Sequence, residues 1–243
     1  MCDHCGCSTE GHEHVHEHTH EHPHEHETSR TVRIEQDILA RNNRQAEWNR
    51  GWLASRRLVA LNLVGSPGSG KTTVLERTLK ELDGQMNAAV IEGDQATDRD
   101  AARIRATGRP VVQIATGTGC HLDARMVKGA LEKLDPQPDG LVFVENVGNL
   151  VCPALFDLGE QAKVLIASVT EGEDKPAKYP HMFAAVQVVL LNKIDLLPHV
   201  SFEMDAFLGF LRQVNPRVRV IAVSGATGAG MLEWYECIRA SIH

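Results

Sequence analysis

The segment Gly65-Ser66-Pro67-Gly68-Ser69-Gly70-Lys71-Thr72 fits G-x-x-x-x-G-K-[ST], a pattern whose chemistry is phosphate binding. Gly65, Gly68 and Gly70 let the backbone wrap closely around phosphates. Amides around Ser69, Lys71 and Thr73, where a helix should begin, would point at their negative charge. Lys71 is expected to reach the β- and γ-phosphates, and the Thr72 hydroxyl to bind Mg²⁺. Further along, Asn192-Lys193-Ile194-Asp195 follows an apolar run. A carboxylate at Asp195 can accept from guanine N1–H and the 2-amino group; adenine offers neither donor in that arrangement. Lys193 can lay its stem along the base, and Asn192 can brace the loop. Ser224-Gly225-Ala226, after another apolar run, can offer a backbone amide to the guanine oxygen. The nucleotide expected is therefore GTP. Asp94 and Glu145 each close a predicted strand, where ligands of open α/β sheets bind, and are the expected further oxygen donors to Mg²⁺. Asp98 and Asp100 compete with Asp94 for that role and suit better the acidic first turn of the next helix.

A second chemistry belongs to soft and borderline metals. The chain opens Met1-Cys2-Asp3-His4-Cys5-Gly6-Cys7, three thiols that can converge on one ion, with the α-amino group, Asp3 or His4 as a fourth ligand. A redox Cys-x-x-Cys is the alternative, but that chemistry usually sits where a strand meets a helix. His12, His14, His16, His18, His20, His22, His24 and His26 then alternate with mostly acidic or small residues. Such an imidazole array suits loose buffering of several divalent ions; the interleaved glutamates and Pro23 argue against an expression tag. Inside the domain, Cys120-His121 and Cys152 fall at neighbouring predicted strand ends. From spacing alone they read equally as metal ligands or as small buried groups. Cys237 is expected in the core, and His181, His199 and His243 as ordinary residues.

These residues need a scaffold. Apolar runs at Leu58–Val64, Ala88–Ile91, Val111–Ala115, Leu141–Val144, Ala162–Val169, Val186–Leu191 and Val218–Val223 alternate with amphipathic patterns such as Thr72–Leu82, Leu122–Leu134 and Met231–Ile242. That alternation predicts an α/β fold with a mainly parallel sheet and helices on both faces, a P-loop NTPase. Three regions follow: residues 1–30, a low-complexity metal-binding tail expected to be disordered; residues 31–56, an N-terminal helix; and residues 57–243, the nucleotide-binding domain.

The 243 residues, 42% hydrophobic and 23% charged, suit one such domain with a tail. Seven acidic side chains against Arg30 in residues 1–30 account for most of the net charge of -7, so nothing resembles the basic field that nucleic acid requires. No stretch is apolar enough to span a bilayer, and no secretory signal is evident, so the cytoplasm is expected.

Asn192-Lys193-Ile194-Asp195 resembles the N-K-x-D motif of GTPases, and Glu145-Asn146-Val147-Gly148 stands where their D-x-x-G is usual, with Glu for Asp. No glutamine follows Gly148, so slow intrinsic turnover is expected. With Glu92-Gly93-Asp94, Cys120-His121-Leu122-Asp123 and Asn149-Leu150-Val151-Cys152-Pro153 added, the chain resembles the hydrogenase nickel-incorporation GTPases, the HypB family. That resemblance implies a GTP hydrolase handling Ni²⁺, with Zn²⁺ as an alternative ion. It also implies a high-affinity nickel motif at Cys2, Cys5 and Cys7, and a metal site of Cys120, His121 and Cys152 at the interface of a GTP-dependent homodimer. Lys175 is expected near the nucleotide across that dimer. The implied partners are a companion nickel-binding maturation protein and the precursor of a nickel-iron hydrogenase large subunit. A urease-type nickel-insertion GTPase is the nearest competitor, but its internal motif is Cys-Pro-His. A passive metal store is another.

Overall fold

The computed structural model describes residues 24–94 and 99–242. Backbone contacts divide the chain into residues 1–37 and 38–243. Helix α1, His24–Ser55, starts before the position 31 expected from sequence, because the Glu and Arg residues around 25–33 favour helix despite lacking an apolar stripe.

The expected runs become strands of one parallel sheet: β1 Leu58–Val64, β2 Asn87–Asp94, β3 Val111–Ala115, β4 Gly140–Glu145, β5 Ala162–Ser168, β6 Val188–Asn192 and β7 Arg219–Ala222. Their order is β3-β2-β4-β1-β5-β6-β7, so β1 lies centrally between β4 and β5. The intervening helices are α2 Lys71–Glu81, α3 Arg99–Arg105, α4 Ala124–Leu134, α5 Cys152–Leu155, α6 Lys175–Lys178, α7 Pro180–Ala185, α8 Met204–Val214 and α9 Met231–Ile242. Strand β1 is buried along its whole length. Val59, Leu61 and Leu63 enter the cluster shared with Val74 and Leu75 of α2 and Trp234 and Ile238 of α9. Leu58 and Ala60 meet Val127 and Leu131 of α4 and Leu53 of α1 on the other face. Burying a Leu or Val side chain in such a face is worth about 1.5–3 kcal/mol. Asn62 is the polar exception in this strand, fully buried.

The sheet presents the ends of β1, β2 and β4 together, because all its strands run the same way. Here the strand order departs in both directions from β1, which is where an open α/β sheet opens a crevice for ligands. No helix among the described residues is long and apolar enough to cross a membrane.

Candidate functional site: a phosphate loop joined to a cysteine–histidine cluster

The turn after β1 leads straight into α2. Gly70, just before the helix, has φ 97°, and a Cβ there would stand 2.4 Å from Asn192 Nδ2, so both conformation and space demand glycine. A cavity of about 560 Å³ opens over this turn, lined by Gly68, Gly70, Lys71, Thr72 and Thr73 and, opposite, by Asp94 and Glu145. A larger open depression of about 720 Å³ lies at the other ends of the strands, around Asn87, Arg109 and Asp139, and holds none of these groups.

Lys71 Nζ donates to the carbonyls of Gly65 and Ser66, at 3.3 and 3.2 Å, which holds the ammonium across the loop. Burial pulls its pKa down, against the opposing fields of Glu145, Glu171 and Asp100. The Thr72 hydroxyl donates to Glu145 Oε1 at 2.6 Å, and Glu145 Oε2 is buried with no protein partner. Burial pushes the Glu145 carboxyl up to about 7, against the Thr72 hydrogen bond and the Lys71 charge. Ser69 Oγ is also buried without a partner. A partnerless hydroxyl beside a helix N-terminus suits a phosphate, and a partnerless carboxylate oxygen facing the same helix suits a cation.

The base-side residues form one braced unit. Asn192 Nδ2 donates to the Ser69 carbonyl and its Oδ1 accepts from Gly225 N, both at 2.9 Å. Lys193, in a left-handed conformation with φ 63°, donates from Nζ to the Gly68 carbonyl at 2.6 Å. Asp195 follows in the short 3₁₀ turn Ile194–His199 with its side chain exposed. Ser224 is buried, its Oγ accepting from Thr227 N at 3.0 Å. Arg77 of α2 donates to the carbonyls of Gly225 and Ala226, at 2.7 and 2.6 Å, and so holds this loop against the phosphate side.

The structure brings Cys120, His121 and Cys152 together: one ligand atom of each lies within 4.8 Å of the others. The two sulfurs are 3.1 Å apart, and Cys120 Sγ is 3.6 Å from His121 Nδ1. Hydrogen bonding with Cys120, burial and the neighbouring thiol's charge push the Cys152 thiol up. Burial pulls the His121 imidazole down, which favours the neutral form a metal needs. The His121 ring lies against Phe156 with centroids 4.0 Å apart. Asn149 ties the Cys120 and Cys152 segments, its Nδ2 donating to the Cys120 carbonyl at 3.3 Å and its Oδ1 accepting from Val151 N at 2.8 Å. Helix α1 grips both from outside. Asn42 accepts from Ala124 N and donates to the Asp157 carbonyl, and Asn49 Nδ2 donates to the carbonyls of Ala124 and Leu158. Asp123 caps α4 by accepting from Met126 N at 2.7 Å.

Several expected residues stand elsewhere or outside the described part. Cys2, Cys5, Cys7, His12, His14, His16, His18, His20 and His22 lie outside it, as does Asp98. His24 and His26 begin α1. Asp100 falls in the first turn of α3 as expected and also lines the nucleotide cavity. Lys175 Nζ sits 5.0 Å over the Tyr179 ring, and Cys237 packs half-buried against the α2–α9 core. Sequence reasoning used Glu92 only within the Glu92-Gly93-Asp94 pattern and gave it no role, yet it is a buried carboxylate paired in register with Glu145 and lining the same cavity. Its signal was an acidic residue closing an apolar run. Arg103 was missed as well; it also lines the cavity and donates to Thr73 Oγ1 at 3.2 Å.

Comparison with known proteins places the chain in a family. The family described as CobW/HypB/UreG, nucleotide-binding domain, matches residues 59–222. The chain belongs to this family. Within it, the hydrogenase maturation factor HypB of Azotobacter vinelandii is 61% identical over 85% of this chain and 68% of its own length. A crystal structure of the hydrogenase maturation factor HypB from Archaeoglobus fulgidus superposes with a TM-score of 0.78 at 37% identity, over 84% of this chain and all of that one. HypB from Helicobacter pylori, crystallised in complex with nickel, has a TM-score of 0.78 at 32% identity over 83% of this chain and 95% of its own. The chain is thus a P-loop GTPase of the HypB type, as its sequence motifs imply.

Proposed function

We propose that this protein is a nickel-binding GTPase metallochaperone, which hydrolyses GTP to control nickel storage and delivery during maturation of a nickel-iron hydrogenase. One observation carries the proposal. A single stretch, residues 145–152, supplies Glu145 to the phosphate cavity and Cys152 to the cysteine–histidine cluster. A change at the phosphates therefore has a short covalent route to the metal.

GTP is held from both ends. Asp195 takes the guanine edge, with Lys193 along the base and the Ser224–Ala226 loop at its oxygen. Gly65, Gly68, Ser69, Gly70 and Thr73 surround the phosphates, and Lys71 neutralises the β- and γ-oxygens. Mg²⁺ fits the residues present, because the Thr72 hydroxyl and the partnerless oxygen of Glu145 are hard oxygen donors in one cavity with Asp94. Bound with GTP, it would offset the charge of the phosphates. Thr72 and Glu145, which hydrogen-bond each other, are the residues that would hold it, and Glu145 opens the 145–152 segment.

Ni²⁺ is the cargo, and Cys120, His121 and Cys152 are its ligands within the domain; Zn²⁺ suits the same donors. Three ligands leave the coordination sphere open, and Val151 and Leu155 beside Cys152 are 57% and 55% exposed. An apolar rim around an incomplete metal site suits closure by a second copy in a GTP-dependent homodimer. It equally suits handover to a companion nickel-binding maturation protein, and from there to the large-subunit precursor. The cysteines and histidines of residues 1–30 serve storage, ahead of the GTPase domain, and the protein works in the cytoplasm.

The test is nickel release from the loaded, full-length protein to a chelator, compared with GTP, GDP and a non-hydrolysable GTP analogue. A release rate that depends clearly on the nucleotide supports the proposal. Equal release in all three states would leave a nickel store whose GTPase serves another purpose.

A further inference from the structure

Asn146 follows Glu145 directly, borders the same cavity and is 2% exposed. Its Oδ1 accepts from two backbone amides: Val147 N at 3.0 Å and Leu122 N at 3.2 Å. The first amide belongs to the segment that walls the nucleotide cavity. The second belongs to the residue immediately after Cys120-His121. Its Nδ2 donates to Asn62 Oδ1 at 3.3 Å, and Asn62 Nδ2 donates to Glu160 Oε1 at 3.1 Å.

That chain has only one consistent direction. Glu160, ion-paired with Lys163 at 3.7 Å, accepts at both oxygens, from Asn62 and from Leu158 N. Asn62 must therefore offer its oxygen to Asn146, and Asn146 must offer its own oxygen to the two amides. The buried Asn62 in an otherwise apolar central strand is explained by this task. The Asn146 amide cannot flip without leaving two backbone N–H groups facing an NH₂ group.

We infer that Asn146 is the positioning residue that carries the nucleotide state to the metal ligands, through one amide oxygen shared between Val147 and Leu122. The inference rests on the nucleotide-controlled metal release proposed above. Gly148 packs so tightly on the phosphate loop that a Cβ there would lie 2.9 Å from Pro67 N, so the 147–148 segment must follow that loop. When Val147 turns toward the phosphates its N–H leaves the shared oxygen, which then recentres on Leu122 and shifts the Cys120-His121 turn. When Val147 returns, the oxygen is shared again. A buried donor does not tolerate a lost acceptor, so Leu122 N–H follows the oxygen wherever it settles.

The experiment measures nickel affinity at the cluster in full-length protein carrying Cys2→Ala, Cys5→Ala and Cys7→Ala, read from the thiolate-to-nickel absorption band. It is done with saturating GDP and with a saturating non-hydrolysable GTP analogue. The ratio of the two affinities is expected to fall in the range usual for coupled sites, about 5–150-fold. Adding Asn146→Ala should bring the ratio within about twofold of unity, the scale of uncoupled sites. Asn146→Asp keeps an acceptor for both amides and, when protonated, a donor for Asn62 Oδ1, so it should recover part of the ratio at low pH. An unchanged ratio in Asn146→Ala overturns the inference and leaves the proposed function standing. A ratio of one before Asn146 is touched overturns both. Should Asn146→Ala fail to fold, hydrogen exchange on the unsubstituted chain decides: Leu122 N–H should differ in protection between the two nucleotide states, and equal protection overturns the inference.

Discussion

Burial raises the Glu145 carboxyl from its usual range to about 7, and that shift has a sign that stability measurements can read. A carboxyl whose folded pKa lies above its unfolded value favours the folded chain while it keeps its proton. That contribution is fully present below about pH 4.5 and is lost as pH rises through about 7. Glu145→Gln keeps an acceptor for Thr72 but carries no charge. The nucleotide-free variant should therefore melt above the parent at pH 8, by several degrees if the difference is about 1–3 kcal/mol. The two should converge toward pH 5. Melting curves at four pH values between these limits check it, and a gap that ignores pH would mean Glu145 is not the titrating group. At this scale the sequence was informative where one residue type has one job: Lys71, Thr72 and Asp195 declare themselves by type and spacing. Asn62 and Asn146 did not. Their hydrogen bond joins positions 84 residues apart, and amide side chains at such positions carry no pattern until the strands are assembled.

Helix α1 is an element whose role lies in what it grips. Through Asn49 it holds the carbonyl of Ala124, four residues beyond Cys120, and that of Leu158, six beyond Cys152. Asn49→Ala removes two buried hydrogen bonds and should cost about 1–3 kcal/mol of stability. If the helix also sets the spacing of the metal segments, nickel affinity at the cluster should fall several-fold in the same variant. A titration followed by the thiolate band separates the two effects; stability lost with affinity kept would make α1 a buttress only. The seven strands were legible as apolar runs because both faces of a parallel sheet are covered. The short helices α5, α6 and α7 were not. They run for four, four and six residues, with proline in the first turn, too short for helical periodicity to register.

For the whole molecule, two metal inventories are proposed on one chain, and they should answer to different substitutions. Replacing Cys2, Cys5 and Cys7 by Ala is expected to remove the tightest nickel site, while the Cys120–His121–Cys152 site keeps its own stoichiometry. Equilibrium competition against a chelator of known affinity measures this, and a tight site that survives intact would have to reside in the domain. The pairing of those domain ligands was only half visible in the sequence. Cys120 and His121 are adjacent, but the approach of Cys152 depends on β3 and β4 being separated in the sheet only by β2.

The 3.1 Å between the two sulfurs has a further meaning. Two thiolates bound about 2.3 Å from one ion stand about 3.3 Å apart at neighbouring corners of a square, and about 3.8 Å apart at corners of a tetrahedron. The square is a shape that Ni²⁺ accepts and Zn²⁺ does not favour. A tetrahedral ion at the proposed site would therefore part the two segments further than a square-planar one. Asn149, which staples those segments, would feel the tetrahedral ion more than the square-planar one. At the proposed site, each metal would thus pry the scaffold open to a different extent.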